Sequence, residues 1–193
     1  MGIPLPRLYL VVAVVLFVGG LLSARAFAGK DEAVNPKVTK QESFTVVGIS
    51  ARTTNAKEMT ADGVIGKYWG RLFQDGLIAK IPNKADENIV AVYTDYASDH
   101  SGEYTYVLGA RVKSASEIPE GMVAKTIPTG KYVVFTSEQG PAYQTVPQLW
   151  QKINSLPKTA TGGDRAYKAD FEVYDERARD PQNTVVEVYV GVK

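Results

Sequence analysis

YKADFEVYD, residues 167–175, is the stretch on which the fold turns. It has the aromatic and β-branched content of a strand, yet a glutamate sits at its centre. Side chains alternate across a strand. Tyr167, Ala169, Phe171 and Val173 therefore share one face, and Lys168, Asp170, Glu172 and Tyr174 share the other. Glu172 is then either the wet residue of an edge strand or a carboxylate set among aromatics. The next apolar run, TVVEVYVGV (184–192), repeats the pattern. Val186, Val188 and Val190 offer an apolar face for a helix to cover. Glu187 and Tyr189 are expected to point away from it, as Glu172 and Tyr174 do.

Working outward, the same order of elements occurs twice. SFTVVGISARTT (43–54) is β-rich. A helical stretch follows from about Ala61 to Ala79, with Val64, Ile65, Tyr68, Trp69, Leu72 and Phe73 on one face and Asp62 placed to support its N-terminus. NIVAVYTDY (88–96) and EYTYVLGARV (103–112) are strands, and the turn-forming Ala97–Gly102 between them makes a hairpin. In the second round, Met122–Ile127 and Lys131–Glu138 are strand-like. Ala142–Leu156 is helical, with Val146, Leu149, Trp150 and Ile153 on one face and Pro147 near its first turn. Thr159–Asp164 reads as a loop before the last two strands. Trp69 and Trp150 fall in equivalent helices, VYTDY echoes FEVYD, and YVLGARV echoes VYVGVK. Such self-similarity marks a duplicated unit. The predicted fold is α+β: two βαββ units whose antiparallel sheet layers each carry one helix and meet at a central groove.

The N-terminal segment has a different character. Arg7 is the only charge before an apolar run, Leu8–Leu22, of about 15 residues, short of the roughly 20 that a spanning helix requires. Ala26-Phe27-Ala28 has the small residues of a signal-peptidase site. Residues 1–28 read as a secretory signal peptide, with an uncleaved membrane anchor as the alternative. Residues 29–43 are polar and read as a linker, so the folded domain is expected over 44–193. The expected location is periplasmic or extracellular. Contact with a membrane follows only if the anchor stays.

Composition excludes several classes. The chain of 193 residues has 22 basic and 21 acidic residues, and loss of Arg7 and Arg25 leaves a net −1. Nucleic-acid binding needs a basic surface, so no nucleic-acid partner is expected. There is no cysteine and one histidine, His100, in a polar loop. A disulfide scaffold and a thiolate nucleophile are thereby excluded, and no zinc site is expected. No nucleophile elbow, metalloprotease motif or phosphate-cradling glycine loop occurs. No cofactor is expected. What remains is Glu172 with Glu187, each interrupting an apolar strand beside a tyrosine. Carboxylates among aromatic faces suit a lipophilic cation.

The strings W-x-x-x-F (69–73), Y-T-D-Y-A-S-D (93–99), Y-T-Y-V-L-G (104–109), I-P-x-G-x-Y-x-V-F (127–135), L-W-x-x-I (149–153), D-F-E-V-Y-D (170–175) and V-E-V-Y-V-G-V (186–192) together resemble the GyrI-like effector-binding domain family. That family includes the sensing domains of AraC- and MerR-type multidrug-responsive regulators and stand-alone integron-cassette members. The resemblance implies a duplicated βαββ fold that binds hydrophobic, often cationic, small molecules against a buried glutamate. The family glutamate falls on Glu172. Tyr93, Tyr104, Trp150 and Tyr174 are the implied aromatic walls. Glu187, singled out by the strand pattern alone, is the candidate assisting carboxylate. Some members are implied to hydrolyse strained small molecules, which leaves Glu172 open as a general base. A protein–protein module is the third alternative. No helix-turn-helix precedes the domain in the sequence, so a DNA-binding role is not expected. A related fold occurs in haem proteins, but His100 alone is a poor basis for haem ligation.

Overall fold

The computed structural model describes residues 37–157 and 163–193. The expected signal peptide or anchor, the first part of the expected linker and most of the Thr159–Asp164 loop lie outside the described residues. The described residues form eight strands. β1 (Lys37–Gln41) and β2 (Phe44–Thr53) lead into three helices, α1 (Asn55–Glu58), α2 (Ile65–Gln74) and α3 (Leu77–Lys80). β3 (Ile89–Thr94), β4 (Tyr104–Val112), β5 (Val123–Ile127) and β6 (Gly130–Thr136) follow, then α4 (Ala142–Ser155), β7 (Ala169–Tyr174) and β8 (Glu187–Val192).

All strands join one antiparallel sheet in the order β1-β6-β8-β7-β3-β4-β2-β5. The two repeats are legible in it. β2, α2, β3 and β4 form one half, β6, α4, β7 and β8 the other, and β3 and β7 join them at the centre. Each half also has a leading strand that crosses to the opposite half: β1 pairs with β6, and β5 pairs with β2.

That exchange forces the sheet to curl. Only Glu42 and Ser43 link β1 to β2, and only Pro128 and Thr129 link β5 to β6. Each link spans at most about 11 Å. In a flat sheet the strands they join would lie about 29 Å apart. The two ends therefore fold toward each other, and the Ser43 hydroxyl donates to the Ile127 carbonyl at 3.0 Å. The inner face closes on Val46, Val90, Val92, Val107, Ile127, Tyr132 and Phe171. Gly48 and Gly109 face each other across β2 and β4, where an added Cβ would strike the opposite backbone.

The other face carries the helices. α4 lays Leu149 and Ile153 over Val133, Phe135, Val188 and Val190, as the apolar face of β8 led us to expect. α2 lays Leu72, Tyr68 and Trp69 over Ile49, Tyr104, Tyr106 and Leu108.

Three expectations need correction. The chain enters the sheet at Lys37, not Phe44: β1 falls within the expected linker. KVTKQ is an edge strand held by backbone pairing, and Val38 remains exposed, so burial left no apolar period to read. The first helical stretch is broken in two. Gly76 adopts a left-handed conformation that ends α2, and Phe73 is 67% exposed. Asp62 is not the support of the α2 N-terminus. The Glu58 carboxylate accepts from the Val64 and Ile65 amides at 3.0 and 2.9 Å and from the Thr53 hydroxyl.

Candidate ligand-binding site

β3 and β7 pair about one point. Ala91 lies opposite Glu172, Tyr93 opposite Asp170, and Ile89 opposite Tyr174. Paired residues share a face, so Glu172 sits at the centre of the helix-bearing face. The duplication then places Tyr93, two residues after Ala91, and Tyr174, two residues after Glu172, on either side of one carboxylate. One half contributes alanine at this point and the other glutamate.

The tryptophans repeat the arrangement. Trp69 of α2 meets Tyr174 edge-on with ring centres 4.7 Å apart, and Trp150 of α4 meets Tyr93 edge-on at 5.3 Å. Trp150 follows the buried Leu149, and the helical turn of about 100° per residue swings it from the β6/β8 valines toward the sheet centre. Its indole nitrogen donates to Glu172 Oε1 at 2.6 Å. The Tyr93 hydroxyl donates to the same oxygen at 2.8 Å, and the Tyr174 hydroxyl donates to Oε2 at 2.8 Å.

Glu172 is 1% exposed. Among the described residues no cation pairs with it. Burial pushes its carboxyl above the usual glutamate range, against the pull of the Trp150, Tyr93 and Tyr174 donors. Burial, and then the adjacent Glu172 charge, raise the Tyr93 and Tyr174 hydroxyls well above the ordinary phenol range, so both remain donors at neutral pH. Tyr104 and Tyr106 of β4 extend the wall. Tyr93 lies 5.6 Å from Tyr104 and 5.3 Å from Tyr106 between ring centres. The Tyr106 hydroxyl is buried beside the Trp69 side chain. Tyr68, Tyr93, Trp69 and Trp150 are half-buried around this buried carboxylate.

The structure thus brings together Glu172, Tyr93, Tyr104, Trp150 and Tyr174. Glu187 does not join them. It pairs with Val173, and Tyr189 pairs with Phe171, so both occupy the opposite face of the sheet. The expectation that Glu187 and Tyr189 point the same way as Glu172 and Tyr174 is overturned by this register. Glu187 is ion-paired with Arg177 at 3.1 Å and accepts from Tyr189 at 2.8 Å. His100, expected to be a solvated loop residue, is half-buried with Nδ1 3.4 Å from the Tyr167 hydroxyl. Sequence reasoning passed over Trp69, Tyr68 and Tyr106 as site residues. The duplication held the signal for Trp69, since it is the counterpart of Trp150.

A duplicated α+β domain with a buried acid in an aromatic box defines the class of small-molecule effector-binding domains. The chain belongs to the Cass2 family, described as integron-associated effector binding proteins, which residues 37–192 match. The GyrI-like resemblance read from the sequence is thereby established. Among relatives, YobU of Bacillus subtilis is 33% identical over 147 residues, covering 76% of this chain and 90% of that one. The transcriptional regulator BrlR of Pseudomonas aeruginosa is 30% identical over 161 residues, and the chain spans only 56% of its length. The integron cassette protein VCH_CASS2 from the Vibrio cholerae mobile metagenome superimposes with a TM-score of 0.66 at 27% identity, covering 82% of this chain and 96% of that chain. SAV2435, solved bound to tetraphenylphosphonium, gives a TM-score of 0.66 at 21% identity, covering 82% and 93%, a likeness of fold.

Proposed function

We propose that this effector-binding domain takes a hydrophobic cation into the aromatic box, with Glu172 as its counter-charge. The observation that carries the reading is a fully buried carboxylate held by three neutral donors and no cation among the described residues. Such a group costs stability when ionised, and a guest cation repays that cost. The surrounding rings each attract a cation by about 0.5–2 kcal/mol. Three donors already occupy most of the carboxylate lone pairs, so a delocalised or quaternary cation, which has no N–H to satisfy, suits the box. SAV2435, which shares the fold, was solved with a guest of that kind. From the Leu8–Leu22 run and Ala26-Phe27-Ala28 we further propose that the domain acts outside the cytoplasm.

The test is a fluorescence titration of the full chain and Glu172→Gln with tetraphenylphosphonium and with neutral tetraphenylmethane-type analogues. Trp69 and Trp150, the two tryptophans of the chain, both border the site. Saturable binding of the cation, weakened at least about tenfold (about 1.4 kcal/mol) in the variant, is the expected result. Equal affinity in both proteins would defeat the reading. Hydrolysis of a bound electrophile lost in the variant would instead assign Glu172 as a general base.

A further inference from the structure

A second buried acid stands on the same face of β7. Asp170 is 0% exposed and lies two residues before Glu172, about 7 Å away along the strand. Its Oδ2 accepts from Arg165 Nη2 at 2.5 Å and from the Tyr96 hydroxyl at 2.7 Å, and its Oδ1 accepts from the Gly191 amide at 2.8 Å. The Arg165 side chain is itself only 10% exposed. Its guanidinium carbon lies 4.6 Å from the centre of the Tyr167 ring and 5.9 Å from that of Trp150. Arg165 Nη1 donates to Asn154 of α4 at 2.8 Å, and Arg165 bridges to Val192 at the end of β8. The chain thus supplies its own cation to one carboxylate and leaves the other with neutral donors. Trp150 stands between the two, its indole nitrogen on Glu172 and its ring beside Arg165.

We propose that Arg165 sets the charge of the guest. With Asp170 neutralised from within, the site has one uncompensated negative charge and accepts a monocation. The second charge of a dication would find no counter-charge left, since Arg165 already neutralises Asp170, and its desolvation would go uncompensated. Arg165 acts here as a specificity-determining residue. The inference rests on the cation-binding reading above.

The probes are 1-methyl-4-phenylpyridinium, a monocation, and the near-isosteric dication N,N′-dimethyl-4,4′-bipyridinium, titrated into the full chain. Wild type is expected to prefer the monocation. Arg165→Gln leaves Asp170 uncompensated and should shift the dication-to-monocation affinity ratio at least about tenfold toward the dication. Asp170→Asn leaves Arg165 uncompensated and should weaken the monocation at least about tenfold, with Glu172 intact. The double variant R165Q/D170N restores a single negative charge and should return the wild-type ratio. Thermal melts accompany each titration, and if R165Q does not fold, D170N and the double variant decide. An unchanged ratio in R165Q overturns the inference, as does undiminished monocation affinity in D170N. A ratio in the double variant shifted away from that of wild type also overturns it, since packing would then be the cause. Absence of cation binding by wild type would instead overturn the reading beneath it.

Discussion

At the scale of the residue, Glu172 trades stability for binding. Its carboxyl is held above the ordinary glutamate range by burial, so the folded state holds this proton more tightly than the unfolded state does. Its stabilising contribution is complete below an unfolded value of about 4.3 and is lost as pH rises through the raised folded value. Glu172→Gln should therefore melt at an equal or higher temperature than wild type at pH 7.5, and its melting temperature should vary less with pH above about 4.3. Thermal melts across pH check this. Cation affinity runs the other way. It needs the ionised form, so it should fall as pH drops through the raised value, at higher pH than an exposed glutamate would give. Trp150→Phe keeps a ring but removes the indole donor to Oε1. Losing a donor to the charged form raises the carboxyl further, so the midpoint of that pH dependence should move upward. Titrating cation affinity in both proteins from about pH 4.3, the ordinary glutamate value, upward tests the direction.

At the scale of the element, α2 is placed by a carboxylate outside itself. Glu58 is the last residue of α1, the short helix that Thr54 caps, and it reaches the first amides of α2. Charge at a helix N-terminus and a satisfied amide both favour the helix. Glu58→Ala should cost roughly 1–2 kcal/mol, a fall of about 2–8 °C in the melting temperature. Trp69 sits on α2, so the same variant should also loosen one wall of the box and weaken tetraphenylphosphonium, a consequence that the titration above would read. The helix faces were legible in the sequence because Leu72, Leu149 and Ile153 recur at helical spacing. The ends were not. The Gly76 break and the reach of Glu58 depend on backbone conformation and on a side chain several residues upstream.

At the scale of the whole molecule, two exchanged strands hold the sheet in its curl. β1 covers the β6 edge and ties the first half to the second. Removing residues 1–42 should open that seam while leaving Glu172, Tyr93, Tyr174 and Trp150 in their elements. The melting temperature should fall by several degrees and the exposed β6 edge should promote association. Calorimetry and sedimentation of the shortened chain check both. A shortened chain as stable and monomeric as the full one would show that β1 does not close the fold. The α+β class and the duplication were legible beforehand, since paired strings such as YVLGARV and VYVGVK preserve spacing. The crossing of β1 and β5 was not, because pairing between distant edge strands leaves no local pattern.

The sequence by itself determined the two βαββ units, the helix faces and the placing of a glutamate inside an apolar strand. Those features rest on periodicity, which neighbouring residues set. It also pointed to Tyr93, Tyr104, Trp150 and Tyr174 through the family resemblance. Only the tertiary structure decided that Glu172 lies where the two halves pair. Only the β7–β8 register sent Glu187 to the other face, because a shift of one residue between strands exchanges faces. The pairing of Asp170 with Arg165 belongs to the same level, since burial and an ion partner depend on which strands and loops the fold brings together.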